Sequence, residues 1–183
     1  MFISLHELEK RPIDFGEQFA PGTVDLGADL RQSGTLNSSG RATLIEEHRG
    51  HKSVIQDIRL VGEMSTEIEI ACARCLEPVR RDVARSFELL YRPRGSDAGR
   101  EELSVTAVEA DIGYYDGDGL LLEDVLREQI LLAIPLKIVC REECKVLCPT
   151  CGKNLNEGGC QCSPETTDVR WSALEGLKDK LQK

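Results

Sequence analysis

No apolar run in this 183-residue chain approaches the roughly 18 residues that cross a membrane. The longest apolar stretch, in QILLAIPLKIVC, is broken by Lys137. The first residues, MFISLHELEK, lack an apolar signal segment and a cleavage site, so nothing directs the chain to an oxidising compartment. The expected location is the cytoplasm. Positive charge is also short. Lys and Arg number 23 against 32 Asp and Glu, leaving a net charge of −9. That balance argues against a bulk electrostatic grip on nucleic acid, which depends on neutralising phosphates. Finally, no Ser/His/Asp triad, paired carboxylates or phosphate loop is visible, so no enzyme is expected and no small-molecule substrate.

Cysteine, in contrast, is concentrated. Six of the eight fall between Cys140 and Cys162, in CREECKVLCPTCGKNLNEGGCQC. Cys148 and Cys151 form a C-P-T-C-G turn, which aims two thiolates at one cation. Cys160 and Cys162 close the same site across a short loop whose Gly158 and Gly159 sit where the chain turns back. Cys140 and Cys144 are spaced C-x3-C, and Cys72 and Cys75 stand far upstream in CARC. The economical pairing is two tetrads: Cys72, Cys75, Cys140 and Cys144, then Cys148, Cys151, Cys160 and Cys162. Four thiolates suit Zn2+, which takes N or S ligands tetrahedrally. A reducing compartment favours metal over disulfides. A redox C-x2-C lacks its helix N-terminus and βαβ setting around Cys72. A catalytic zinc keeps an open position, which four thiolates close. The expectation is structural Zn2+, one ion or two.

Periodicity outlines the rest. Alternating apolar residues predict strands over 2–8, 24–30, 41–47 and 53–60, with 13–20 ambiguous and Gln32 to Gly40 a polar loop. STEIEIAC, Ser65 to Cys72, is the cleanest period-2 stretch, and Val79 to Leu90 returns from it. The pair reads as a hairpin with a metal turn at its tip. His48 and His51 read as solvated residues between strands. A strand is expected over 103–108. The acidic stretch from Ala110 to Gly119 lacks an EF-hand's loop length and terminal Glu, so calcium is rejected. LLLEDVLREQILLAI, 120–134, predicts a helix burying Leu122, Val125, Leu126, Gln129, Ile130 and Ala133, with Leu121 and Leu132 widening the stripe and Pro135 ending it. A second amphipathic helix is expected over 169–181, where Trp171 shares the apolar face.

The fold expected is α+β: an antiparallel sheet or partly closed β-barrel with one buried helix and a C-terminal zinc ribbon. Residues 1–139 form the core domain and 140–183 the cysteine-rich segment with its terminal helix. Between 74 and 100, seven arginines face four acids, a local balance of +3 in an acidic chain. Arg74, Arg80, Arg81 and Arg85 are the residues of choice for an RNA or partner contact, since the guanidinium matches phosphate. The alternative is a solvated face with each arginine paired to a neighbouring acid.

Taken in order, CARCLEP, LLEDVLREQILLAIP, the cysteine stretch and Asp168 to Leu174 (D-x-R-W-x-x-L) resemble the bacterial YceD family, the large ribosomal RNA subunit accumulation proteins. The resemblance runs from about Gly62 to the end. It implies a non-enzymatic factor supporting accumulation or processing of large-subunit (23S) ribosomal RNA. The expected partner is that RNA or a pre-ribosomal particle, met directly or through a protein. The family's cysteine signature falls on the same eight positions. The rival function is a zinc-ribbon adaptor between proteins, with no RNA role.

Overall fold

The structure is a computed structural model and describes residues 1–49, 53–96 and 112–162. The strand expected over 103–108, the helix over 169–181 with Trp171, and His51 and Arg100 lie outside the described residues.

Three long strands dominate: β4 (Leu36–Arg49), β5 (Ser53–Ala71) and β6 (Pro78–Pro93). They pair antiparallel, β4 with β5 and β5 with β6. Preceding them are β1 (Phe2–Ser4), the one-turn helix α1 (Leu5–Leu8), β2 (Ile13–Phe19) and β3 (Leu30–Gln32). Following them are β7 (Ile112–Tyr115), β8 (Gly119–Leu121) and α2 (Leu122–Ala133). The main sheet runs β2-β4-β5-β6-β7, with β3 on the end of β5, while β1 and β8 form a separate pair. Among the described residues this order is an open path, so the sheet is not closed into a barrel. It is also not purely antiparallel, because β7 joins β6 in parallel.

Alternation explains which face is buried. Ile58, Leu60, Met64 and Ile68 of β5 share one face with Val83, Phe87 and Tyr91 of β6, and all are buried. The α2 residues Leu122, Val125, Leu126 and Ile130 join the same core. Burying each such side chain contributes about 1.5–3 kcal/mol. Opposite strands approach closely at Gly40 and Gly62, which are register partners. A Cβ on Gly62 would lie 3.0 Å from the Phe87 ring and 3.1 Å from that of Phe15. The two aromatic rings fill the space those glycines leave.

Several expectations need correction. The 2–8 strand breaks after Ser4 into α1. Residues 24–30 do not form a strand before Leu30; Val24 and Leu26 are buried in the core from a turn-rich segment. Their i, i+2 spacing reflects packing without a ladder. The polar loop is mostly strand, since β3 reaches Gln32 and β4 starts at Leu36. Gln32 is 1% exposed because its amide is satisfied, accepting from Val24 N (2.9 Å) and donating to Gly34 O (2.9 Å). The expected strands over 53–60 and 65–72 are one continuous β5. In α2 the predicted face is buried apart from the half-buried Ala133, but Leu121 and Leu132 are exposed, and Leu121 precedes the helix in β8. Ile134, ahead of Pro135, is already extended, as a pre-proline residue prefers. No helix among the described residues is long and apolar enough to cross a membrane.

Candidate metal centres

The hairpin of β5 and β6 ends at the register pair Ala71 and Pro78. Residues 72–77 must therefore reverse the chain in a tight turn. Cys72 N donates to Glu77 O (2.8 Å) and Leu76 N to Cys72 O (3.0 Å). The same two bonds recur downstream: Cys148 N donates to Lys153 O (2.8 Å) and Gly152 N to Cys148 O (2.9 Å). Each turn is flanked by a pair of antiparallel residues, Ala71 with Pro78 and Leu147 with Asn154. The molecule thus builds one knuckle twice. Both place the residue after the second cysteine in left-handed backbone, Leu76 at φ 61° and Gly152 at φ 71°. Glycine adopts this freely, whereas leucine does so with strain.

Each knuckle gathers four sulfurs. Cys72, Cys75, Cys140 and Cys144 form one group and Cys148, Cys151, Cys160 and Cys162 the other, with all ligand atoms in a group within 4.8 Å of one another. Cys72 Sγ lies 3.9 Å from Cys144 Sγ, and Cys75 Sγ 3.7 Å from Cys140 Sγ. A tetrahedron with metal–sulfur bonds of about 2.3 Å has edges of about 3.8 Å. The sulfurs therefore fit a shared cation, and all eight cysteines are free thiols. The pairing expected from spacing is the pairing found.

Position separates the two groups. Cys72, Cys75 and Cys144 are buried and form a small second core with Val79 and Ile138. Ala73 N donates to Ile138 O (2.8 Å), fastening the segment after α2 to the hairpin tip. In the second group only Cys148 is buried, and Cys151 is exposed.

Backbone amides also tune the thiols. Burial pushes Cys72 up, but N–H groups of Cys75, Arg74 and Cys140 outweigh it and bring it down to about 6. Arg74 N and Cys140 N stand 3.4 Å and 3.3 Å from its sulfur. Cys148 likewise falls to about 6 through the N–H groups of Cys151 and Thr150. Cys144 is lowered first by the side chain of Asn156, then by Val146 N–H. Cys162 rises to about 12 because Cys151 and the other sulfurs crowd it. Cys75 also rises to about 12: the Glu77 N–H pulls it down, but burial and three neighbouring thiols prevail.

The arginines chosen from sequence do not share one surface. Arg74 donates to the carbonyls of Glu142 (3.0 Å) and Cys144 (3.2 Å), and Arg81 to that of Val139 (3.1 Å). Both strap the 139–144 segment onto the hairpin. Arg80, on the opposite face of β6, lies 3.7 Å from Glu67 and 3.5 Å from Glu69. Arg85 is half-buried beside an open trough of about 680 Å³ that runs across β2, β4, β5 and β6. Sequence reading missed Asn154 and Asn156, whose amides knit the second knuckle's loop. The signal was there: two asparagines two apart, inside a loop that the cysteine spacing closes.

The sequence model of the family described as "Large ribosomal RNA subunit accumulation protein YceD" matches residues 60–178. The chain belongs to the YceD family. An uncharacterized protein of Mycobacterium tuberculosis is 33% identical over 191 residues, covering 94% of this chain and 88% of the relative. The Zea mays chloroplastic YCED homolog 1, named a large ribosomal RNA subunit accumulation protein, is 27% identical, covering 90% of this chain and 65% of its own length. The Bacillus subtilis protein YlbN is 26% identical, covering 94% and 92%. No solved structure matches. The YceD match spans both cysteine groups, so the knuckles lie within the family region, while β1 to β4 precede it.

Proposed function

We propose that the chain is a non-catalytic factor supporting accumulation or processing of large-subunit ribosomal RNA, with structural Zn2+ in both cysteine tetrads. The observation that carries this reading is the YceD match over residues 60–178, which takes in both tetrads. Zinc is the cation of choice because four thiolates form a closed tetrahedral shell with no open position for chemistry. Its place here is to pin Cys140 and Cys144 to the β5–β6 tip and to close the loop before Cys160. Sucrose-gradient sedimentation tests the function. The protein is expected with precursor large subunits, and consistent absence from those fractions overturns the proposal.

A second reading, contact through a partner protein, is favoured by the arginines. Arg74 and Arg81 already serve main-chain carbonyls and Arg80 has two acidic neighbours. With a net charge of −9, a basic protein is an easier partner than a phosphate backbone. RNase treatment of a pulldown separates the two: loss of the ribosomal material marks RNA contact, and retention marks a protein.

A further inference from the structure

We infer that Asn156, a residue of the second tetrad's loop, donates its side-chain N–H to the first tetrad and so makes the two sites bind metal cooperatively. The inference rests on the metal reading above.

Asn156 Nδ2 lies 3.4 Å from Cys144 Sγ and 2.8 Å from Asn154 Oδ1. The orientation of the amide is fixed by its neighbours. Lys145 N, which can only donate, stands 2.9 Å from the other terminal atom, so that atom is the oxygen. The nitrogen then faces the sulfur. Asn154 is oriented by the same logic. Its Oδ1 accepts from Asn156 N (3.0 Å), and its Nδ2 reaches Glu77 Oε1 at 3.2 Å. A chain of polar contacts therefore runs from the second loop to both halves of the first site: to Cys144 directly, and to Glu77 in the turn that carries Cys72 and Cys75.

Geometry makes this contact conditional on the second site. Residues 152–159 span the gap between Cys151 and Cys160, and the three-residue 3-10 turn Leu155–Glu157 places Asn156 on the first tetrad. Sulfurs from both ends of that loop hold it closed. Four thiolates around a divalent cation leave two negative charges in excess, which N–H donors to sulfur disperse. The backbone donors to sulfur at the first tetrad, among them Arg74 N and Cys140 N to Cys72, the Glu77 N–H to Cys75 and the Val146 N–H to Cys144, come from its own cysteines or from residues two positions beyond them. Asn156 is the donor that arrives from the neighbouring loop. When the second site opens, that donor is released and the first binds less tightly. Linkage requires the converse by the same factor.

The test loads the full chain with zinc and titrates in a chelator. Mass spectrometry of alkylated peptides then reads the protection of each cysteine. Asn156→Ala, Asn156→Asp and the double variant Cys160→Ser/Cys162→Ser are each expected to expose the first-tetrad cysteines at about tenfold lower chelator. Adding Asn156→Ala to the double variant is expected to change nothing further. Asp keeps the acceptor for Lys145 N but removes the side-chain N–H from both Cys144 Sγ and Asn154 Oδ1, so Asn154→Ala is the control for the loop bond: a purely loop-shaping role would make Asn154→Ala expose the first tetrad as much as Asn156→Asp. Wild-type protection in both Asn156 variants, rescue by Asp, or multiplying effects overturns the coupling while the metal reading stands. Absence of zinc protection at either tetrad in the wild type overturns both.

Discussion

The two knuckles share a backbone pattern yet differ in what they join. The first brings together residues 65 and 72 positions apart, Cys75 with Cys140 and Cys72 with Cys144, in a buried setting. The second gathers sulfurs within one short segment and leaves Cys151 exposed. The same local geometry is a long-range staple in one place and a local clasp in the other. Closing a longer loop costs more chain entropy, so a bound ion relieves the unfolded chain of more freedom at the first site. Spans of 72 and 14 residues differ by just over two doublings, or about 1.4 kcal/mol. Burial adds to the contrast, because an opened first site also exposes Val79 and Ile138.

The largest effect expected is therefore from Cys72→Ser. It should destabilise the metal-loaded chain by about 2–5 kcal/mol, comparable to loss of a structural cross-link, read by chemical denaturation. Cys160→Ser should cost less than half as much, with the largest rise in hydrogen exchange over 145–162 and a smaller one around the first tetrad. Equal losses would erase the distinction between staple and clasp. Next come the left-handed positions. Gly152→Leu should cost about 1 kcal/mol, whereas Leu76→Gly removes a comparable strain and should be neutral or stabilising. Thermal midpoints of the two variants moving in the same direction would show that the knuckles are not equivalent in backbone. The smallest effect concerns order rather than stability. Thiolates bind metal and thiols do not, so acidification weakens both sites as protons compete with the ion for sulfur. The exposed second tetrad should lose its ion first, and peptide-resolved alkylation during an acid titration reads that order.

One further pH response lies outside the knuckles. Tyr91 is pushed well above the usual phenol range by burial and by Glu128, and Tyr115 is raised by burial and Asp57. Both folded values exceed the unfolded ones, so their contribution is intact below about pH 10 and is lost as pH rises further. Tyr91→Phe should flatten the alkaline limb of a stability profile.

Much of the candidate site was legible because cysteine spacing is a covalent constraint. C-x2-C in CARC and CPTC predicts two turns, and STEIEIAC leads straight into the first. The α2 face was legible from its 3.6-residue period, and the ends of that stripe were not. Leu121 follows a strand rule and Leu132 faces solvent, which a periodic count cannot distinguish. Gln32 was read as loop because its composition is polar, although its burial depends on backbone partners at Val24 and Phe19, eight and 13 residues away, as well as on nearby Gly34. The arginines were counted correctly, and Arg80 beside Glu67 and Glu69 fits the acid-paired alternative, but Arg74 and Arg81 find carbonyls contributed some 60 residues later, a tertiary fact that local charge does not encode. Asn156 is similar: its partner Cys144 is close in sequence, but the role follows from the loop's closure.

Native mass spectrometry of the purified full chain tests the central claim most directly. Two closed sulfur tetrads predict a mass excess of two zinc ions that disappears in acid. No metal excess, with a mass reduced by pairs of hydrogens through disulfide formation, would contradict it.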